Sequence, residues 1–394
     1  MKCASVSTTN PDAAAALDGL LNRLLDALDG ERPDLLVAFF TSHHSEDAAL
    51  IRERILGLAD PKVLLGCPAA SVISDEAELE GQAGITLWGA VFPGAKLQPF
   101  QLGVDDGSEA PKLEGFPEEV PTEAGFLVLV DPYSTPANDL VGGFASRYPG
   151  QVLTGGFASG APGPGQAQLL CNDGVLDEGT VGVVVSGAVQ LDTIVSQGCR
   201  PVGHHFVITK ADRNLIHALG GKPVLEQLQT VANEVDNVDR GLIQTALHVG
   251  RVVDERKSNY ERGDFLVRNV LGIDPKKSAL AINDYVKPGQ TIQFMVRDAR
   301  AASEELEELS AAQGKKAGAT YGALLFSCNG RGTRFFGKPN HDIEGLHKGL
   351  GDAPAAGFHC AGEIGPVGGV PFVHGFTASI AVFKERADGM GLPG

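Results

Sequence analysis

Two glycine-rich stretches near the carboxyl terminus, LLFSCNGRG at Leu324–Gly332 and FHCAGEIGPVGG at Phe358–Gly369, decide the predicted fold. Each starts with apolar residues typical of a buried strand and then turns at glycine. A helix-length segment lies between them, so they predict a strand, a crossover helix and a parallel second strand. Ligands tend to bind beyond the carboxyl ends of such strands, where Arg331 and Glu363 follow.

The same order of strand, helix and strand occurs twice more, earlier in the chain. The segments DLLVAFFTS and KVLLGCPA form the first copy, FLVLVDP and VLTGGFAS form the second, and further apolar segments follow each copy. We match the second-strand ends of the three copies at Cys67, Gly155 and Cys360. The pattern predicts an α/β fold of repeated βαβ units with antiparallel additions, in which helices cover layered sheets, organised as two related domains.

Between the second and third copies the sequence pattern changes. His205–Gly221 alternates apolar and polar residues around a turn, which predicts a β-hairpin. Further strand-like and helix-like segments follow it. We place the domain boundary at residue 228, which gives an amino-terminal domain of residues 1–228 and a carboxy-terminal domain of residues 229–394.

Composition restricts the class of partner. The formal net charge is −17, which argues against nucleic acid or an anionic membrane surface, because both are bound through clustered Lys and Arg. No stretch approaches the ~20 apolar residues that cross a bilayer, and the amino terminus MKCASVSTTNP lacks the apolar run of a signal peptide. We therefore expect a small molecule or another protein as the partner, and no membrane insertion.

The six cysteines show no metal-binding spacing. They lack a CxxC pair and are too sparse to form a disulfide framework in a chain of this length. The sequence therefore predicts thiols in the reducing cytoplasm, with no metal site and no cofactor.

Together these motifs resemble a known family. SCNGRG, GFHCAGEIGPVGG and HGFTASIAVF, preceded by LLGCPAASVIS and LWGAVFPG, are similar to the tandem FIST arrangement of F-box and intracellular signal transduction proteins, from about Pro33 to Phe383. The resemblance implies a sensory module that binds small ligands such as amino acids and acts in signalling, with a signalling protein as a further partner. Nothing in the chain resembles an attached F-box, kinase, cyclase or receiver domain.

The candidate ligand site combines both glycine-rich turns with the start of the last strand. Arg331 is predicted to bind a ligand carboxylate, and Glu363 a ligand ammonium group. The alternatives are an arginine that pairs with a helix end or with Glu363, a glutamate that accepts loop N–H groups, and a histidine at 374 that is satisfied by backbone. The predicted ligand-binding residues are Cys328, Asn329, Gly330, Arg331, Gly332, Cys360, Gly362, Glu363 and His374.

Two other functions stay open at this point. A cysteine-dependent enzyme would use Cys328 or Cys360 as nucleophile, with Glu363 or His374 as the base. The structural alternative is that both cysteines are ordinary core residues. A protein-interaction scaffold is the third possibility, and the acidic composition favours it.

Overall fold

The computed structural model describes residues 1–105, 112–257 and 259–386. Its helices are α1 Ala13–Ala27, α2 Ala48–Leu58, α3 Ala137–Arg147, α4 Val224–Glu234, α5 Asn237–Thr245, α6 Ala299–Gly314, α7 Thr333–Phe336 and α8 His341–Leu350, with 3-10 helices at Ser42–Asp47 and Arg262–Asp264.

Most of the other described residues form strands. These are β1 Lys2–Thr8, β2 Leu35–Thr41, β3 Val63–Ala69, β4 Val72–Ile73, β5 Glu78–Leu79, β6 Ile85–Val91, β7 Ala95–Asp105, β8 Lys112–Glu114, β9 Gly125–Val130, β10 Val152–Phe157, β11 Leu169–Cys171, β12 Val175–Leu176, β13 Thr180–Gly187, β14 Val189–Ser196, β15 Cys199–Asp212, β16 Leu215–Leu219, β17 Lys222–Pro223, β18 Leu247–Val252, β19 Phe265–Asp274, β20 Ala279–Ile282, β21 Thr291–Arg297, β22 Thr320–Cys328, β23 Ala355–Cys360, β24 Glu363–Val367, β25 Val370–His374 and β26 Ala378–Glu385.

The chain divides into two compact units that do not follow its sequence order. The first unit takes Met1–Ser196, Leu306–Val373 and the chain from Thr377 onward, and the second takes Gln197–Glu305 with His374–Phe376. The predicted boundary at residue 228 separates two continuous sequence domains. The compact units are not continuous in sequence and do not test it, so it stays a prediction.

The predicted βαβ copies are confirmed, and each forms a parallel pair in a sheet of the first unit. β2 pairs with β3, β9 with β10 and β22 with β23, with α2, α3 and α8 in the connections. The first sheet has the order β1-β6-β2-β3-β11-β12, the second β25-β24-β10-β9-β13-β7-β8 and the third β14-β26-β22-β23-β4-β5. The antiparallel additions are therefore also confirmed.

Each βαβ copy passes its next hairpin to the sheet of another copy. The hairpin β4–β5 follows β3 in the chain but pairs with β23, β11–β12 follows β10 but pairs with β3, and β24–β25 follows β23 but joins β10. The three copies are therefore linked in a cycle, and none of the three sheets is built from a single copy.

The three sheets share one apolar core. Side chains from all three sheets meet in it, among them Phe39, Leu129 and Phe326, and complete burial of such a side chain stabilises the fold by roughly 1.5–3 kcal/mol. The outer faces pack against helices: α1 and α2 cover the first sheet and α3 the second, while α8 and Leu306 of α6 pack on the third. This arrangement agrees with the predicted layers of sheet and helix.

The strand registers correct our match of the three copies. Gly66, Gly155 and Gly357 are equivalent, since a Cβ at each would lie 2.7, 1.9 and 1.9 Å from the carbonyl oxygen of its parallel partner. Each is also opposite a hairpin residue. Cys67 therefore corresponds to Gly156 in the second copy and to Phe358 in the third, not to Gly155 and Cys360.

The second unit is built differently. Its sheet has the order β15-β21-β18-β19-β20-β16-β17, its paired strands are antiparallel throughout the described residues, and β15 also pairs with β16. Asp212 and Leu215 are register partners, which confirms the predicted hairpin at His205–Gly221. Helices α4 and α5 pack on the apolar face of this sheet.

Among the described residues, no helix has both the length and the apolar character needed to cross a lipid bilayer.

Candidate functional site

Cys328 and Cys360 end the parallel strands of the third sheet side by side. They are register partners at the carboxyl ends of β22 and β23, so their side chains point to the same face of the sheet. Cys360 is fully buried in the shared core, whereas Cys328 is partly exposed. The Asn329 N–H donates to the Cys360 carbonyl (3.0 Å), which ties the first glycine-rich turn to the end of the neighbouring strand.

The turn after β22 is held by backbone and carboxylate contacts. The Gly330 N–H donates to Cys328 Sγ at 3.4 Å. Gly332 has φ +81°, and a Cβ there would lie 2.7 Å from Glu80, so this position requires glycine. Glu80 Oε1 accepts the Thr333 N–H (2.9 Å) and hydroxyl (2.7 Å). Glu80 follows the hairpin β4–β5 of the first copy, so this part of the chain holds the end of the first glycine-rich turn in place.

Arg331 forms a buried bidentate ion pair with Asp342. Its Nε lies 2.7 Å from Asp342 Oδ2 and its terminal nitrogen 2.8 Å from Oδ1, and both side chains are fully buried. Ser327 Oγ also donates to Oδ2 (2.6 Å), and His341 Nδ1 lies 2.9 Å from Oδ1. Burial alone would raise the pKa of Asp342, but the Arg331 charge and these hydrogen bonds outweigh it and hold the pKa well below its usual range.

Glu363 is a buried carboxyl opposite a glycine. It begins β24, is paired with Gly156 of β10, and has no exposed surface. The Thr377 N–H donates to Oε2 (3.1 Å), and Oε1 has no hydrogen-bond partner among the residues the structure describes. Burial raises the pKa of Glu363 to about 8, although the Thr377 N–H, the Cys328 thiol and the Arg331 charge each oppose the rise.

Cys328 and Cys360 lie near this carboxyl, and Cys67 lies near Cys360. Burial raises the pKa of Cys360 well above its usual value, and the charges of Glu363, Cys67 and Cys328 add to the increase. Burial likewise raises the pKa of Cys67. A Cβ at Gly156 would lie 2.4 Å from Cys360 Sγ, so this glycine leaves the space that the sulfur fills.

Gly362 and His374 are the two remaining predicted residues, and their surroundings differ. The Gly362 carbonyl accepts the Phe157 N–H (2.9 Å), and the Ala361 N–H donates to the Phe157 carbonyl (3.0 Å). These contacts join the second glycine-rich turn to the end of β10. His374 is buried and belongs to the second unit. A role for His374 in the site therefore stays a prediction.

The repeat shows why Glu363 is unusual. Counting from the equivalent glycine pairs, Glu363 corresponds to Val72 in the hairpin of the first copy and to Leu169 in that of the second. Both of these residues are apolar members of the shared core. One copy therefore has an ionisable group where the other two have a core side chain.

The same backbone N–H is satisfied by a side chain in each of the three copies, although the accepting residues lie at different positions. The residue before the last strand of each copy donates its N–H to a side-chain oxygen, from Gly84 to Thr41 (3.0 Å), from Gly179 to Ser134 (2.7 Å) and from Thr377 to the Glu363 carboxyl. Hydroxyl groups satisfy the amide in the first two copies. Only the third copy uses a carboxyl.

Sequence reasoning missed three residues that complete the site. Asp342 and Thr377 bind the two predicted charged groups, and Glu78 Oε1 accepts the N–H groups of Asp342 (2.7 Å) and Ile343 (3.1 Å) at the start of α8. Asp342 lies in the first helical turn, where acidic residues are common for electrostatic reasons alone. Nothing local in the sequence identifies Glu78.

Two cavities of the first unit include none of the predicted ligand-binding residues in their lining. One of about 540 Å³ is lined by Asp34, Lys62, Val63, Ala95, Lys96, Leu97, Gln98, Pro99, Glu119, Pro121, Val184 and Ser186. Another of about 370 Å³ lies at the ends of β9 and β10 and is lined by Pro132, Tyr133, Ser134, Thr135, Pro136, Ala137, Phe157, Ala361 and Val373. Within the described ranges, no group of three or more His, Cys, Asp or Glu side chains is arranged to hold a metal ion.

Comparisons with known proteins cover almost the whole chain. The FIST N domain model matches residues 34–222, and the FIST C domain model matches residues 225–366. A Mycobacterium bovis protein described as the uncharacterized protein Mb0898c is 37% identical over 378 residues, which is 96% of this chain and 97% of the relative. The uncharacterized protein MT0656 of Mycobacterium tuberculosis is 36% identical over 379 residues, 96% of this chain and 98% of the relative.

Proposed function

Because this chain belongs to the FIST family, whose domains are generally sensory domains of signal transduction, we propose that it senses an amino acid or a similar zwitterion. The ligand binds at the carboxyl ends of β22 and β23, where Glu363 holds its ammonium group. Arg331, with the N–H groups of the glycine-rich turn, attracts its carboxylate.

The observation that carries this proposal is the burial of Glu363. Its side chain has no exposed surface, one carboxyl oxygen has no hydrogen-bond partner among the described residues, and the equivalent residues Val72 and Leu169 are apolar. An unsatisfied buried polar group costs about 1–3 kcal/mol. A ligand ammonium group would supply the missing hydrogen bond and the opposite charge.

Arg331 supports the proposal electrostatically. Its charge lies close enough to Glu363 to oppose the rise in the Glu363 pKa, so a zwitterion bound there would meet both signs of charge. The Asp342 carboxylate already holds two guanidinium nitrogens. We therefore assign Arg331 the weaker of the two ligand contacts and Glu363 the stronger.

The proposed binding is coupled to loss of a proton. The pKa of Glu363 is about 8, so its carboxyl is mostly neutral when the pH is below that value. An ammonium group, in contrast, binds best to the ionised carboxylate. We expect the dissociation constant of the zwitterion to fall by up to tenfold for each unit that the pH rises from 6 to 8. Titration calorimetry with a panel of amino acids at pH 6, 7 and 8 measures this dependence.

A matched pair of variants tests the site. Glu363→Gln keeps the shape but does not ionise, so we expect at least tenfold weaker binding and loss of the pH dependence. Glu53→Gln removes an exposed carboxyl on α2 and should leave both unchanged. Binding by Glu363→Gln that equals wild type would overturn the proposal, as would a panel in which no amino acid raises the melting temperature.

The proposal includes a cytoplasmic location and a signalling protein as the downstream partner. Its support is that all six cysteines, each within the described ranges, are thiols, as is usual in a reducing compartment. Fractionation of cells that produce the tagged chain tests the location.

A further inference from the structure

We propose that Cys328 is a thiol-exchange site, where its sulfur attacks a small disulfide and Cys360 then resolves the mixed disulfide. The reaction would give this chain a second input, the thiol–disulfide state of its surroundings. It does not depend on the proposed zwitterion, although both use the same end of the third sheet.

The first argument is the position of the two cysteines. They are register partners on neighbouring strands, which are about 4.8 Å apart in a sheet. Disulfides span Cα separations of about 4.4–6.8 Å. Since both side chains point to one face at the strand ends, a bond between them does not require the strands to separate.

The second argument is their difference in access. Cys328 is partly exposed, whereas Cys360 has no exposed surface. A small disulfide in solution therefore meets Cys328 first. Cys360 is reached only from within the protein, which is the arrangement of an attacking and a resolving thiol.

The third argument is the surroundings of the sulfur atoms. The Gly330 N–H points at Cys328 Sγ (3.4 Å) and favours its thiolate. The Cys328 thiol is hydrogen-bonded to the carboxyl of Glu363, whose Oε1 has no hydrogen-bond partner in the described part of the chain. A buried carboxyl in this position can accept the thiol proton.

The reaction balances without a further reactant. The Cys328 thiol gives its proton to the Glu363 carboxylate, and its sulfur attacks one sulfur of R–S–S–R, so that the S–S bond breaks and R–S⁻ leaves. Glu363 passes that proton to the first R–S⁻ and then accepts the proton of Cys360, whose sulfur attacks the Cys328 sulfur and releases the second R–S⁻. Both thiolates take up protons, so two protein thiols are oxidised to a disulfide and one R–S–S–R is reduced to two R–SH.

The test treats the full chain with bis(2-hydroxyethyl) disulfide at pH 8 and maps the products by peptide mass. In the wild type we expect a Cys328–Cys360 disulfide, seen as a loss of two hydrogen atoms. In Cys360→Ser we expect the hydroxyethylthio adduct to accumulate on Cys328. In Glu363→Gln we expect both the attack of Cys328 on the reagent and the formation of the Cys328–Cys360 disulfide to slow at least tenfold.

Controls separate this chemistry from unfolding and from ligand binding. Cys171→Ser removes a buried thiol outside the cluster and should leave the rate unchanged, and melting curves show that each variant is folded. An unmodified Cys328 in folded Cys360→Ser would overturn the proposal, and a wild type that keeps the adduct would exclude Cys360 as the resolving thiol. Calorimetry on the reduced wild type, with no disulfide reagent present, reports zwitterion binding without the exchange reaction, so either proposal can fail alone.

Discussion

Glu363 is held in the core by groups that favour its ionised form, yet burial outweighs them. The Thr377 N–H, the Cys328 thiol and the Arg331 charge each lower its pKa, and the pKa still reaches about 8. In the other two copies the equivalent residues have no charge to bury. Such a group stores a proton at neutral pH and can release it when a cation arrives.

The raised pKa predicts a specific pH dependence of stability. The ordinary pKa is 4.5 and the folded value is about 8, so the contribution of Glu363 is complete below the unfolded pKa and is lost as the pH rises through the folded one. Relative to Glu363→Gln, we expect the free energy of unfolding of the wild type to fall by up to about 1.4 kcal/mol per pH unit between pH 5 and 8. Urea unfolding at several pH values measures it. A constant difference between the two proteins would contradict the raised pKa.

Arg331 is predicted to matter for stability as well as for binding. Its loss leaves Asp342 as a buried charge without its partner, so Arg331→Ala should lower the free energy of unfolding by roughly 3–5 kcal/mol. Replacing both residues, with Arg331→Met and Asp342→Leu, should restore much of that loss because no buried charge remains. Chemical denaturation compares the two variants. If the single variant is as stable as wild type, the ion pair contributes nothing.

At the scale of elements, the same close contact occurs in each parallel pair. The glycine in β3, β10 and β23 lets the carbonyl of the neighbouring strand approach where a Cβ would stand. From the sequence we matched Cys67, Gly155 and Cys360 instead, because the strand ends were compared by residue type. Register is set by backbone pairing, and in strands that are apolar on both faces a shift of one to three residues leaves the apolar pattern almost unchanged.

Alanine substitutions distinguish these glycines from ordinary ones. Gly357→Ala places a Cβ 1.9 Å from the Leu325 carbonyl oxygen, and the strand must shift to accept it, so we expect a loss of at least about 2 kcal/mol. Gly19→Ala, on the exposed side of α1 with nothing within 4 Å of the new Cβ, should instead stabilise the chain by up to about 1 kcal/mol. Thermal unfolding compares them. An equal effect of the two changes would refute the close contact.

On the scale of the whole molecule, the exchanged hairpins decide which segments fold together. The first sheet needs β11–β12 from the second copy, the second sheet needs β24–β25 from the third, and the third needs β4–β5 from the first and β14 from before the third copy. The shared core is therefore incomplete until residues from both ends of the chain are present.

This topology predicts the behaviour of fragments. Residues 1–196 lack the third copy, so they leave much of the shared core exposed, and we expect them to bind a hydrophobic dye and to unfold without a sharp transition. Residues 197–305, which hold nearly all of the second unit, should unfold cooperatively by circular dichroism. Cooperative unfolding of residues 1–196 alone would contradict a single shared core.

The amino-acid sequence predicts the βαβ copies, the α/β class and the family, because apolar strands, glycine turns and helix-length connections are local patterns. It also singled out Arg331 and Glu363, since charged residues beside glycine at strand ends stand out. Their surroundings follow from the folded structure alone: Asp342 binds Arg331, and Thr377 binds Glu363. These contacts depend on register and on hairpins exchanged between distant parts of the chain, and no local pattern of residues specifies such long-range pairings.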